Sequence, residues 1–149
     1  RMRFDLTIRE FTRALALGED LLVYDADTWR PYCHVEDFSE VIRRVLEAPV
    51  ESIAFEVFNA GGSTNNYTKQ MIVDAIIEQL PQAKVRYKEH GSDPRNYRVD
   101  FGKIRDRLKF EPRYGVPDGI RELRLAMEQG LFQTIERPKS FYGNYEITY

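Results

Sequence analysis

The stretch from Glu36 to Leu46 limits most sharply what this chain can fold into. Glu36 and Asp37 stand where a helix N-terminus favours negative charge. Phe38, Val41, Ile42, Val45 and Leu46 then recur at the spacing that lays one apolar stripe along a helix. A β-prone run lies on each side, Leu21-Leu22-Val23-Tyr24 before it and Ala54-Phe55-Glu56-Val57-Phe58 after Pro49 closes it. A helix set between strands predicts a mixed α/β chain of helices and short strands.

The same reasoning extends in both directions. Asp5 is placed to cap a helix with Ile8, Phe11 and Leu15 inward and Gly18 as its stop. Residues Asp25 to Pro31 read as loop. Thr68 is placed to cap a helix carrying Ile72, Ala75, Ile76 and Leu80, ended by Pro81. Val85 and Tyr87 alternate with Lys84, Arg86 and Lys88 as in a half-exposed strand, and a polar loop follows. Asp100 and Asp118 are expected to cap two more helices, one through Ile104 and Leu108, the other through Ile120, Leu123 and Met127 to Gly130. Phe132, Phe141, Tyr142, Tyr145 and Tyr149 show no helical period. Residues 1–130 are therefore expected to form one lobe, and 131–149 an aromatic tail that packs on the lobe or on a neighbour.

A chain of 149 residues is long enough to bury a core without staples. Lys and Arg number 22 against 24 Asp and Glu, a net charge of −2, so nothing favours a nucleic acid or an anionic membrane as partner. Cys33 is the single cysteine, no intrachain disulfide is possible, and a cytoplasmic setting is the expectation. No apolar run is long enough to span a bilayer. Because the sequence opens on Arg1 rather than Met, a cleavage product or a fragment with a missing upstream part is expected.

Several chemistries have no motif here. Gly61-Gly62 stands alone, without the Gly-x-Gly-x-x-Gly of a dinucleotide fold, and no phosphate-loop motif occurs. Two distant histidines, His34 and His90, and one cysteine predict no metal site. No Tyr is followed four positions later by Lys, so that proton-transfer pair is missing too.

Two clusters hold residue types that recognise nucleotides. In Trp29-Arg30-Pro31-Tyr32-Cys33-His34-Val35-Glu36-Asp37, Arg30 stands at a strand-to-helix junction where a planar guanidinium could grip a phosphate. It could equally pair with a carboxylate while Tyr32 and His34 pack. In Ser92-Asp93-Pro94-Arg95-Asn96-Tyr97-Arg98, Asp93 could accept from ribose hydroxyls and Arg95 meet a phosphate, or the whole could be a solvated turn. The Gly61-Gly62 turn with Ser63 to Asn66 also resembles a phosphate nest, although a strand-to-helix connection needs such residues anyway.

In order, these segments resemble the C-terminal half of an extended short-chain dehydrogenase/reductase, in the NAD-dependent epimerase/dehydratase family that acts on nucleoside-diphosphate sugars. Arg30 to Asp37 matches the family's Arg-x-Tyr-x-His-Val-x-Asp run, and Phe58-Asn59-Ala60-Gly61-Gly62 its Asn-x-Gly strand end. Asp100 to Ile104 and Leu108 to Pro112 are similar to its Asp-x-x-Lys and Leu-Gly-Phe/Trp-x-Pro segments, and Arg1 to Leu6 to the run that follows the catalytic helix. The resemblance implies that Arg30 binds the diphosphate, Asp93 the ribose and Arg95 the nucleotide. It also implies that Tyr24 lines the base pocket and that backbone groups at Leu6 reach the nucleotide. Three positions depart from the pattern: His90 stands for a usual Arg, Ser92 for a Gly and Lys109 for a Gly.

The family's glycine fingerprint and Tyr-x-x-x-Lys group belong to an N-terminal Rossmann half that residues 1–149 do not contain. The resemblance thus implies a substrate-recognition lobe with no catalytic and no cofactor-binding residue of its own. NAD or NADP would be held by the full-length parent, a nucleoside-diphosphate sugar would be the ligand, and the isolated lobe would be inactive. The rival is a non-catalytic binding or interaction module that retains the fold. Loss of the Rossmann half would bare apolar surface, so homo-oligomerisation through Phe38, Val41, Val45 and Phe55 is expected.

Overall fold

The computed structural model describes residues 2–91 and 93–132, and the tail from 133 onward lies outside them. The elements are α1 (Thr7–Ala16), β1 (Leu21–Tyr24), β2 (Trp29–Pro31), α2 (Val35–Glu47), α3 (Val50–Ile53), β3 (Asn66–Thr68), α4 (Lys69–Gln79), β4 (Val85–Lys88), α5 (Gly102–Leu108) and α6 (Val116–Glu128). The strands form two pairs. β1 runs parallel to β4 with Val23 opposite Tyr87, and β2 runs antiparallel to β3 with Arg30 opposite Tyr67. The mixed α/β expectation is met.

The main core joins α1, β1, α4 and α6. Phe11, Leu15, Val23, Ile72, Val73, Ile76, Val116 and Ile120 close on one another there. Full burial of each large aliphatic among them contributes about 1.5–3 kcal/mol. Thr68 caps α4 as the sequence predicts, its Oγ1 accepting the Met71 N–H at 3.1 Å. Gly18 follows α1 with φ of +75°, the left-handed turn that lets the Glu19 N–H reach the Ala14 carbonyl at 2.9 Å.

Other caps differ from expectation. Asp5 pairs with Arg3, and the α1 N-cap is Leu6, with no side-chain bond to the helix. Asp118 lies inside α6 and accepts the N–H of the N-cap Gly115 at 2.8 Å, the return half of a capping box. Asp100 precedes the α5 N-cap Phe101, and its Oδ1 takes the Gly102 N–H at 2.9 Å. Lys109 ends α5 in the left-handed region at φ 52°. That conformation costs a non-glycine residue about 1–2 kcal/mol.

A second core lies under α2. Val41 packs with Phe101, Ile104, Leu108 and Phe110, and Val45 and Phe58 lean on the same group. The helix at α2 is as predicted, but its cap is His34, whose Nδ1 accepts the Glu36 N–H at 3.3 Å. Its apolar stripe is only half covered. Val41 is buried, whereas Phe38, Ile42 and Leu46 are 50%, 51% and 80% exposed. Val41 is therefore buried and Val45 partly so, rather than the bare surface expected of them.

The strand read at 54–58 does not form. The chain makes the single turn α3, then Phe55 takes φ 59° and points fully outward, and Val57 is 80% exposed. A strand exists through its ladder, and among the described residues no strand runs beside this one. Lys103 pins the segment instead, its Nζ donating to the Val57 carbonyl at 2.8 Å and to Glu56 Oε2 at 2.7 Å. The opposite correction applies at Trp29–Pro31, read as loop, which pairs with β3; the Tyr32 N–H continues the ladder to the Asn65 carbonyl at 2.8 Å, so Pro31 stands at a non-hydrogen-bonded position where its missing N–H costs no bond.

Candidate functional site

Arg30 projects from β2 and is largely enclosed, its side chain 15% exposed. Its Nη1 donates to the Trp29 carbonyl at 2.7 Å and its Nη2 to Asp93 Oδ2 at 3.0 Å, while the guanidinium lies 5.2 Å from the Tyr97 ring centre. Such a stack holds the plane of the cation.

The loop that brings Asp93 is laced to the β2–β3 pair. The Trp29 N–H donates to Asn96 Oδ1 at 2.9 Å and the Tyr97 N–H to the Trp29 carbonyl at 3.3 Å. Arg98 lies 4.7 Å over the Trp29 ring. Asn66 exchanges two bonds with the Val99 backbone, both 3.0 Å. Asn66, Asn96 and Tyr97 stand in the segments the sequence singled out, but sequence reasoning gave them no role. Their one signal was an Asn-rich polar composition, which also marks ordinary turns.

Arg95 grips Asp93 with both arms, Nε to Oδ1 at 2.8 Å and Nη2 to Oδ2 at 2.9 Å, and adds its backbone N–H to Oδ1 at 3.2 Å. Arg95, first through its side chain and then its backbone, and Arg30 after it hold the Asp93 carboxyl well below the usual range. The Arg95 side chain remains 71% exposed. Arg30, Asp93 and Arg95, three of the five expected site residues, are thus assembled as one ionic group.

Tyr24 ends β1 with its ring partly exposed, and Lys88 stands 5.9 Å from the ring centre. The Gly91 N–H donates to Asp25 Oδ2 at 2.8 Å, and a Cβ on Gly91 would come within 2.5 Å of that oxygen and 3.0 Å of Tyr24 Cβ. This close approach ties the end of β1 to the Asp93 loop. His90 sits exposed at φ 65°.

Leu6 lies elsewhere. It lines a cleft of about 450 Å³ with Tyr32, His34, Tyr114 and Glu122, which Arg30, Asp93, Arg95 and Tyr24 do not line. On its rim His34 Nε2 meets Glu122 Oε2 at 3.0 Å, and Tyr114 Oη donates to Glu36 Oε2 at 3.1 Å. That bond to Glu36 raises the Tyr114 phenol above its ordinary value, and burial does the same for Tyr32.

The Gly61-Gly62 turn packs closely under two rings. A Cβ on Gly61 would strike the Phe101 ring at 2.7 Å and one on Gly62 the Pro112 ring at 2.5 Å, so these glycines serve packing. Burial and the Asp37 charge push the Cys33 thiol up to about 11, leaving it protonated and a poor nucleophile near neutrality. No helix among the described residues is long and apolar enough to cross a membrane.

Residues 5–61 match the NAD dependent epimerase/dehydratase family, and the fold of the described residues is similar to that of solved proteins carrying dehydratase and epimerase names. It is 30% identical over 137 residues to a dTDP-glucose 4,6-dehydratase of Xanthomonas campestris pv. campestris, covering 83% of this chain and 34% of the relative. The dTDP-glucose 4,6-dehydratase of Bacillus anthracis, solved with NAD, superposes with a TM-score of 0.66 at 26% identity, over 85% of this chain and 40% of that one. UDP-glucose 4-epimerase of Thermotoga maritima, solved with UDP-glucose, superposes at 0.71 with 22% identity, over 85% and 40%, which shows the fold. The chain spans about a third of the length of the curated relatives it matches.

Proposed function

We propose that this chain is the substrate-recognition lobe of an NAD-dependent nucleoside-diphosphate-sugar epimerase or dehydratase, and that Arg30 and Arg95 receive the diphosphate. The observation that carries the reading is the Arg30 guanidinium, oriented by the Trp29 carbonyl and Tyr97 and paired with a carboxylate on a loop that also presents Arg95. A planar fork held in this way is suited to bidentate phosphate contacts. Tyr24, at the strand end beside the loop, would line the base pocket, and Leu6 would meet the ligand through its backbone groups.

Residues 1–149 carry neither the glycine fingerprint nor the Tyr-x-x-x-Lys pair, so on this reading they turn over nothing alone. An N-terminal Rossmann half would bring NAD or NADP, which accepts and returns hydride, and would cover the bare face of Phe38, Ile42, Leu46 and Phe55. Without it, copies of the chain would associate through the same face.

Calorimetry against UDP-, GDP-, CDP- and dTDP-sugars tests the proposal. Arg30→Ala should weaken the best ligand by about 1.5–3 kcal/mol, the range for hydrogen bonds to a charged group. An unchanged Kd in Arg30→Ala would reject the role.

A further inference from the structure

Resting on the diphosphate reading, we propose that Asp93 is a positioning residue: it bridges Arg30 and Arg95 into a paired-guanidinium cradle and does not itself bind the ribose. An ionised carboxylate has about four lone-pair positions. Asp93 has four donors on them, the Arg95 N–H and Nε on Oδ1 and Arg30 Nη2 and Arg95 Nη2 on Oδ2. A ribose hydroxyl could enter only by displacing one of these charge-assisted bonds for a weaker neutral one.

The arginines are in the reverse position. Each guanidinium has five N–H donors, and Arg30 commits two, to Trp29 and Asp93, while the Arg95 side chain commits two, both to Asp93. The rest are available to an oxyanion. Arg30 is enclosed and braced by Tyr97, and Arg95 extends into solvent, with side-chain exposures of 15% and 71%. Because both reach the same Asp93 oxygen, the two forks stand side by side, a spacing suited to two linked phosphoryl groups. Two positive charges against one negative leave the trio attractive to a polyanion. Asp93 offsets the repulsion between the arginines, and the backbone lacing of its loop to β2 sets where the pair sits.

A ribose-free probe separates positioning from ribose contact. Calorimetry with UDP and with inorganic pyrophosphate is run on wild type and Asp93→Asn, alongside ¹H–¹⁵N spectra of the guanidinium groups without ligand. Asp93→Asn should weaken UDP and pyrophosphate by the same factor, about tenfold for one lost charged contact, and alter the signals of both Arg30 and Arg95. Asp93→Glu, which restores the charge, should recover part of the loss for both probes. Weakening of UDP with pyrophosphate untouched overturns the proposal and returns Asp93 to the ribose. Unaltered Arg30 and Arg95 signals in Asp93→Asn overturn it as well. Wild type that binds neither probe overturns the cradle together with the reading it rests on.

Discussion

Asp37→Ala removes the carboxylate that ties α2 to the loop ahead of α6. The side chain is 2% exposed, its Oδ1 accepts the Arg113 N–H at 2.9 Å, and its Oδ2 accepts the Tyr114 N–H at 3.0 Å. Alanine leaves both donors without a partner. A stranded buried donor costs about 1–3 kcal/mol, and this loop is only part-buried, so about 1–2 kcal/mol each and about 3 kcal/mol in all is expected. For a chain of this size that corresponds to a fall in Tm of about 6–12 °C. Asp37→Asn should be milder, near 2 kcal/mol, because its carbonyl still accepts one N–H while its amide confronts the other. Urea unfolding followed by circular dichroism gives both values, with the slope reporting whether the unfolded state has changed. A loss below about 1 kcal/mol in Asp37→Ala, or an Asn variant as stable as wild type, would refute the clamp.

Two further outcomes are expected. Phe38→Glu with Ile42→Glu, both about half exposed, should reduce self-association in sedimentation velocity while shifting stability by no more than about 0.5 kcal/mol per site; a wild-type chain that is already a monodisperse monomer at high concentration rejects the association. Cys33, half-buried, should alkylate with a midpoint near 11, raised by desolvation and Asp37 from an ordinary value of 9.0. Between those two values the unfolded chain has released the proton and the folded chain has not, so stability should fall as pH rises through that window; a reactivity midpoint near 8.5, as for free Cys, would contradict the burial.

Helix periodicity was a good guide wherever burial is set by the element itself. The Ile72, Ala75, Ile76 and Leu80 face, the Ile120, Leu123 and Met127 face and the Thr68 cap all stand as read, because side chains three and four apart share a surface whatever the partner is. The failures at Asp5, Asp118 and residues 54–58 have a common cause. A carboxylate near a helix start can bond to the cap, lie within the first turn or pair with a neighbouring Arg, and spacing does not choose among these. A β-prone run becomes a strand only when another edge meets it, and Ala54 to Phe58 meets an α5 lysine and arginine instead.

The candidate site divides in the same way. Arg30 and the Asp93 loop were legible as phosphate-like and ribose-like chemistry, and the resemblance put them in one enzyme family. Their partners were not legible, because Arg30 and Asp93 are 63 residues apart in sequence and come within hydrogen-bond reach only when 93–99 lies along β2.

By itself the sequence determined the α/β class, the main helices with their inward faces, and Arg30 as the residue to examine, since all of these rest on local spacing and side-chain chemistry. Only the tertiary structure decided that half of the α2 stripe stays bare, that the two glycines serve packing, and that both Asp93 oxygens are already engaged by two arginines. Burial and lone-pair occupancy are properties of which distant segments meet, and a one-dimensional pattern does not carry them.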